Sequence, residues 1–596
     1  MDGKKLEYKG EAALKEIEKL TEGADEVQES ILKEILIQNG QTEYLSKYLK
    51  GSNDVKEFMY RVPVTTYKDM FPYIQRIANG EDSSLITGHP ITEMLCSSGT
   101  SAGEPKLMPS INEDLDRRTF IYNLIMPIMN KYISGLDEGK AMLLNFVKAE
   151  MSTPCGIPAR TVLTSYYKSK HFKCRTRDSF NDFTSPDQAI LCKDSDQSMY
   201  CQLLSGLVHR HQVLRIGAVF ASALLRAISF LERNWVCLCN DIRSGGLDPM
   251  ITDPECRSCM STILSSPNPT LADEIQEICS RQSWKGILCL LWPKTKYIEA
   301  VVTGSMAQYI PSLEYYSDKL PLVSTMYASS ECYFGVNLKP LSDPANVVFT
   351  LMPNMCYFEF IPLGENGTLF MEFDEEDEVS NDKLVDLVHV RHGCYYELVV
   401  TTFAGLYRYR IGDVLQVTGF HNRAPQFRFI CRRNVVLSVD NDKTNEEDLH
   451  KSISTAKKLL EPYNAILVEY TSYAETSSVP GHYVFYWEIL QDESAFKHKP
   501  TPVDAEVLQE CCIAVEEELD YTYRRCRAHD KSVGPLEIRV VESGTFEALM
   551  DLFIRQGGSI NQYKTPRCIK SNAALMLLNS HVKASIFSPR DPTWIP

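Results

Sequence analysis

Ser97-Ser98-Gly99-Thr100-Ser101-Ala102-Gly103-Glu104-Pro105-Lys106 is the run on which the reading of this chain turns. It follows an apolar pair, Met94 and Leu95, so the polar residues come at the end of a strand-like stretch. Small residues let backbone N–H groups approach an anion, the hydroxyls add donors and the lysine supplies charge. Such a loop suits phosphate. It is not a Walker A loop, which needs Gly-Lys-Ser/Thr in succession, because two residues separate Gly103 from Lys106. It also lacks the third glycine of a kinase-type loop. Taken alone, the same run is compatible with a surface linker.

Two further clusters have the same character. Tyr327-Ala328-Ser329-Ser330-Glu331-Cys332-Tyr333-Phe334-Gly335 follows an apolar run, which puts its polar residues beyond a strand end, where open α/β sheets hold ligands. Glu331 there is suited to help hold a magnesium ion that bridges phosphates. In Tyr407-Arg408-Tyr409-Arg410-Ile411-Gly412-Asp413-Val414 a strand pattern is broken by Gly-Asp and then resumes. An aspartate presented by a glycine turn can accept both hydroxyls of a ribose. Each cluster also has a plain reading as a turn.

Around these motifs lie 596 residues, 44% hydrophobic and 23% charged, which is near the globular average and too long for one core. A net charge of -16 argues against nucleic acid or an anionic membrane as partner, since both select for excess Lys and Arg. The start, MDGKKLEYKG, lacks the apolar core of a secretory signal, and the most apolar stretch, 218–231, is interrupted by Arg226. A cytoplasmic chain is expected, and nothing in it demands more than a monomer. The 19 cysteines are scattered, which favours reduced, buried thiols. Cys256 and Cys259 form a C-x-x-C with Cys237 and Cys239 upstream, but the one-residue spacing of the upstream pair is wrong for a zinc knuckle. The acidic run 374–378 reads as a solvated turn, and His209-Arg210-His211 as an unremarkable piece of helix.

Leu14, Ile17 and Leu20, then Ile31, Leu32, Ile35 and Leu36, recur at helical spacing up to Gly40. Short apolar runs at 141–147, 286–292 and 297–302 read as buried strands between helices, which argues α/β. From Tyr396 to Val439 the pattern becomes successive short strands, YELVVTTF, YRYRIGDVLQVTGF, APQFRFICR and NVVLSVD, in period-two alternation, as in an antiparallel sheet or barrel. Beyond Asp440 the pattern resets. Strands at 465–470, 482–490 and 536–541 with helices after 503 and after 541 make a small α+β domain.

The three motifs, in this order and over this length, resemble adenylate-forming enzymes, and among them the plant acyl acid amido synthetases of the auxin-responsive Gretchen Hagen family. The resemblance implies a large N-terminal domain over residues 1–430, with mixed sheets and a β-barrel-like part, a hinge at 431–440, and a small mobile C-terminal domain over 441–596. It also implies two steps. A small carboxylic acid, with auxin-like indole or aryl acids favoured, reacts with Mg-ATP to give acyl-adenylate and pyrophosphate, and an amino acid then takes the acyl group as an amide with release of AMP. Ser97, Ser98, Gly99, Thr100, Ser101 and Lys106 would cradle phosphates. Thr303, Gly304, Ser305, Tyr327, Ser329, Ser330 and Phe429 would wall the nucleotide, Asp413 would hold the ribose, and Glu331 would lie near the Mg2+. Lys564, in Asn561-Gln562-Tyr563-Lys564-Thr565, resembles a lysine that reaches the reacting phosphate when domains close and stabilises charge developing there.

For the acid, the matching positions are Arg118, Tyr122, Val162, Tyr167, Ala328 and Tyr333. Arg118 and Tyr122 lie four apart, so on a helix they share a face, a carboxylate partner beside an aromatic wall. Where the family often carries Arg-Lys-Asn, this chain has Arg432-Arg433-Asn434, which keeps charge and changes donor geometry. Two other readings are an acyl-CoA ligase that uses the same adenylate and a binding protein without turnover. No separate basic patch fits the phosphates of CoA, and Lys106, Asp413 and Lys564 together argue for turnover.

Overall fold

The computed structural model describes residues 10–595 apart from 102–103, 149, 176, 366–367, 370–382, 434–435, 464, 492–502 and 556–564. The chain divides into two compact units, residues 1–97 with 106–433, and residues 98–105 with 434–596. The fold is mixed α/β. Among the described residues no helix is long and apolar enough to cross a membrane.

In the large unit, helices Glu11–Glu22 and Ala24–Asn39 bury Ala13, Ile17, Leu32, Ile35 and Leu36, the apolar stripe of the first forty residues. Lys140–Leu144, Val213–Phe220, Tyr297–Val301 and Leu322–Val323 form a parallel sheet in that order. Val213–Phe220 is buried over its first six residues, as expected of a parallel strand covered on both faces. A nine-stranded antiparallel sheet carries the motifs. Its path runs Thr368–Leu369, Tyr357–Glu365, Tyr395–Thr401, Tyr409–His421, Ala424–Arg432, Phe349–Leu351, Tyr333–Val336 and Met326–Ala328, with Val385–Asp386 paired to Tyr357–Glu365.

This sheet buries charge as well as apolar surface. Arg408 is fully buried and forks onto Glu359 at 2.8 and 3.0 Å. Arg410 forks onto Glu397 at 2.9 Å through both nitrogens, and Arg433 joins the same carboxylate at 2.8 Å. Buried charges are tolerated when paired and hydrogen-bonded in this way. Both arginines of the third motif are therefore internal struts, and Arg433 is anchored at the end of the large unit.

Four local expectations change. The strand predicted at 286–292 is a helix, Ile287–Leu291, entered through Gly286 at φ 68°. A short apolar run cannot be told from a buried helix by periodicity. His209 and its neighbours follow the helix Ser195–Val208 instead of continuing it, and Arg210 donates to the Leu290 and Leu291 carbonyls. NVVLSVD makes a single bridge, Leu437 to Thr444, among its described residues. The Asp442 carboxylate takes the N–H groups of Val439 and Asp440, donors that a ladder would need. Finally, Gly412-Asp413 interrupts the pairing with Tyr395–Thr401 but does not end its strand, since Tyr409–His421 runs through it. The run 374–378 lies outside the described residues.

In the small unit the sheet order is Ala465–Glu475, His482–Gln491, Glu537–Val541 and Val582–Phe587, with the middle pair parallel. Its core gathers Trp487, Tyr483, Tyr523, Cys511 and Cys512 with the helices Glu446–Ala456 and Ala505–Glu518.

Candidate active site

Asp413 sits on a bulge. Val399 pairs with Arg410 and Glu397 with Val414, so three residues on one strand oppose one on the other, and Gly412 takes φ 81° to allow it. Bulges re-aim side chains, and this one turns the buried Asp413 toward Tyr327. The Tyr327 hydroxyl donates to Asp413 Oδ2 at 2.6 Å. Burial and the adjacent carboxylate push the Tyr327 hydroxyl well above its ordinary pKa, so it remains a donor. The second oxygen, Oδ1, is buried and accepts no hydrogen bond among the described residues, while Arg432 Nη1 stands 3.7 Å away. A buried carboxylate oxygen without a protein donor can accept from a water or from a ligand hydroxyl.

Tyr327 opens the turn that carries the second motif. Met326–Ala328 and Tyr333–Val336 pair antiparallel, with Tyr333 opposite Ala328. Ser329 N–H donates to the Cys332 carbonyl at 2.9 Å, Glu331 N–H to Ser329 Oγ at 3.2 Å, and Ser330 Oγ to Glu331 at 2.8 Å. Glu331 thus sits on a fixed turn. Burial works against the charge of Arg432, and Asp413 and Glu331 together hold it. Across from them, a Cβ on Gly304 would meet the Phe429 ring at 2.9 Å, and the Phe429 and Tyr327 rings lie 6.4 Å apart. Thr303, Gly304, Tyr327, Glu331, Asp413 and Phe429 therefore belong to one neighbourhood.

The first motif is less fully seen. Ser97 is buried, and the Lys106 ammonium lies 5.4 Å from the centre of the Tyr67 ring. The side chains of Ser98, Thr100, Ser101 and Ser305, and all of Lys564, lie outside the described residues.

Of the residues expected to bind the acid, Tyr333 stands on the other strand of the same hairpin, opposite Ala328, and Tyr122 reaches it from a helix. Helix Asn112–Asn130 starts where Asp114 accepts from Ile111 N–H at 3.1 Å, and its buried face carries Arg118 and Tyr122. Tyr122 and Tyr333 share a hydrogen bond between hydroxyls at 2.9 Å, with ring centres 5.7 Å apart and edge to face. Burial pushes both hydroxyls up, while the charge of Arg118 and the hydrogen bond with Tyr122 partly lower that of Tyr333. Arg118 is 5% exposed; its Nη2 donates to Ser110 Oγ at 3.1 Å. Its Nη1 is buried without a hydrogen bond among the described residues and lies 3.9 Å from Glu93, a carboxylate already taken by Arg160 and Ser165. Arg117 points elsewhere, its guanidinium 3.5 Å from the centre of the Phe403 ring.

Val162 begins the helix Val162–Lys168, and Tyr167 on it donates to Asn145 Oδ1 at 2.8 Å. Ala328 is exposed. Sequence reasoning missed two members. Tyr166, not Tyr167, packs on Tyr122, with ring centres 4.6 Å apart. Its signal is the helical spacing from Val162, four residues back. Arg432 was hidden because a bulge opposite Val414 and Leu415 shifts the alternation, so Phe429 and Arg432, three apart, both face the Asp413 neighbourhood. The arrangement offers an acceptor for vicinal hydroxyls at one end, a guanidinium donor within an aromatic wall at the other, and a glutamate between them.

Comparison with known proteins gives a consistent result. A family model described as the GH3 family N-terminal domain matches residues 13–322, one described as the GH3 family central domain matches 349–432, and one described as the GH3 family C-terminal domain matches 447–573. The chain is 70% identical, over 100% of both chains, to the putative indole-3-acetic acid-amido synthetase GH3.9 of Arabidopsis thaliana. It is 57% identical to the indole-3-acetic acid-amido synthetase GH3.17 of the same plant, over 98% of each. Among solved structures, the AtGH3.15 acyl acid amido synthetase in complex with 2,4-DB matches 98% of each chain at 47% identity, with a TM-score of 0.67.

Proposed function

The chain belongs to the GH3 family and is an amido synthetase, a ligase that activates a carboxylic acid with ATP and joins it to an amino acid, and from that premise we propose that its acid is an indole or aryl acetic acid bound between Arg118 and the Tyr122–Tyr166–Tyr333 wall. The observation that carries this reading is the buried Arg118 Nη1, a charged donor without a hydrogen-bonding partner among the described residues, one helical turn before Tyr122, whose ring packs with those of Tyr166 and Tyr333. A planar acid fits that combination, with its carboxylate on the guanidinium and its ring on the wall. The names of the GH3.9 and GH3.17 relatives support the same class.

In the proposed mechanism Asp413, oriented by Tyr327, accepts the ribose hydroxyls of ATP through its open Oδ1. Phe429 and Gly304 flank the nucleotide, and the serine-rich loop with Lys106 takes the phosphates. Mg2+ supplies charge neutralisation at the phosphates, and Glu331, fixed on its turn, is the residue that would hold it. The acid's carboxylate oxygen attacks the α-phosphorus and pyrophosphate leaves. Lys564 stabilises the charge that grows on the phosphate oxygens. The amine of the amino acid then attacks the acyl carbon, AMP departs, and the amine sheds a proton. The domains 1–430 and 441–596, hinged at 431–440, would bring Lys564 to the first step and withdraw it for the second. We place the protein in the cytoplasm, acting as a monomer.

The test is pyrophosphate exchange and AMP release with a panel of indole, aryl, jasmonate-like and short-chain acids, each amino acid in turn, and CoA as a competing acceptor. Indole and aryl acetic acids are expected to lead, and Arg118→Met to raise the acid KM at least tenfold with the ATP KM unchanged, since a charge-assisted hydrogen bond contributes about 1.5–3 kcal/mol. Preferential turnover of an aliphatic acid, or an unchanged acid KM in Arg118→Met, refutes the pocket.

A further inference from the structure

Two thiols and a carboxylate meet in a part of the large unit that carries no residue of the proposed site. Cys192 closes the helix Asp187–Leu191, Asp253 caps the helix Pro254–Ile263, and Cys256 lies on the first turn of that helix. The two sulfurs and a carboxylate oxygen all lie within 4.8 Å of one another, and both cysteines are buried. A tetrahedral zinc site puts neighbouring ligand atoms roughly 3.5–3.8 Å apart, from Zn–S and Zn–O bonds of about 2.0–2.3 Å. The cluster's separations, none above 4.8 Å, exceed that spacing by about 1 Å at most. From this convergence we propose that Cys192, Asp253 and Cys256 form a binding site for a thiophilic dication, Zn2+, that ties the 187–208 region to the Pro254–Ile263 helix.

Chemistry supports the choice. A dication that displaces the two thiol protons leaves thiolates and a carboxylate whose charge it balances, in an interior where those anions would otherwise repel one another. Sulfur ligands select zinc over magnesium or calcium. Cys201, on the neighbouring helix Ser195–Val208, is buried but lies outside this three-residue cluster, so the fourth position is left to water. The C-x-x-C pattern singles out a different pair. Cys259 donates to the Cys256 carbonyl at 3.3 Å and, with Cys237 and Cys239, stays outside the ligand cluster found among the described residues.

The experiment is titration of metal-free full-length protein with Zn2+ against a chromophoric chelator, and with Cd2+ while following the sulfur-to-cadmium charge-transfer absorption. One equivalent is expected to bind with release of protons, and Cys192→Ser and Cys256→Ser to lose it while Cys259→Ser keeps it. Asp253→Asn retains the oxygen that caps the helix, so it is expected to fold, and to bind at least tenfold more weakly. That variant decides the matter if the cysteine variants fail to fold. Wild-type protein that binds no metal beyond Cys192→Ser, undiminished affinity in Asp253→Asn, or loss in Cys259→Ser with retention in Cys192→Ser overturns the proposal.

Discussion

Replacing Asp413 by asparagine changes one atom at the point where the nucleotide is proposed to bind. The amide oxygen can keep the bond from Tyr327, now 2.6 Å long, and the amide nitrogen then takes the place of Oδ1. A buried acceptor facing the ribose becomes a donor. At least one charge-assisted hydrogen bond is lost, worth about 1.5–3 kcal/mol, so kcat/KM for ATP is expected to fall roughly 10- to 150-fold at 1.36 kcal/mol per decade. Initial rates of AMP formation at varied ATP and saturating acid measure this, with the acid KM as internal control and a thermal melt of the unliganded variant to verify folding. Tyr327→Phe removes only the donor that orients the carboxylate, so about 0.5–1.5 kcal/mol, or roughly 2- to 12-fold, is expected. Because the two side chains touch, the double variant should fall short of the product of the single effects. A kcat/KM for ATP within twofold of wild type in Asp413→Asn would refute the ribose role.

Three other outcomes are expected. Lys564→Ala should lower the rate of pyrophosphate exchange by at least two orders of magnitude, as loss of a group that stabilises transition-state charge costs about 2.7–4 kcal/mol; a wild-type rate sinks its role. Glu397→Ala removes the buried carboxylate that Arg410 and Arg433 share, and denaturant melts should show a loss of about 3–5 kcal/mol; a loss under 1 kcal/mol would mean that this strut is dispensable. Asp520 caps the helix Tyr521–Ala528, and burial raises its carboxyl to about 7. Between the ordinary value near 4 and pH 7 the folded chain holds a proton that the unfolded chain has released, so stability falls as pH rises through that window, by at most about 1.4 kcal/mol per unit. Denaturant midpoints at pH 5 and pH 7 should draw apart in the wild type and converge in Asp520→Asn, which keeps the cap; parallel shifts in the two proteins would show that Asp520 does not titrate there.

The motifs were legible because their chemistry is local. A serine-glycine-lysine run, a glutamate after a strand and an aspartate beside a glycine announce themselves by residue type. What escaped was set by partners distant in sequence. Nothing in Tyr407-Arg408-Tyr409-Arg410 separates a ligand-binding arginine from a strut until Glu359 and Glu397 arrive from other strands. Arg432 escaped because a bulge resets the alternation that strand reading relies on, and NVVLSVD failed as a strand because Asp442 captured its donors. The helix Ile287–Leu291 shows a further limit, since five apolar residues carry no period to read.

The hairpin that joins Tyr327 to Tyr333 behaves as a gauge. One of its tyrosines is tied to Asp413 and the other to Tyr122, with Glu331 on the turn between them. In the proposed site it therefore sets the distance from ribose to acid, and that interval cannot be stretched for a bulkier substrate. Changes of acid preference are then expected on the opposite wall, in Asn112–Asn130 and Val162–Lys168, at positions other than the Tyr122 that ties into the hairpin.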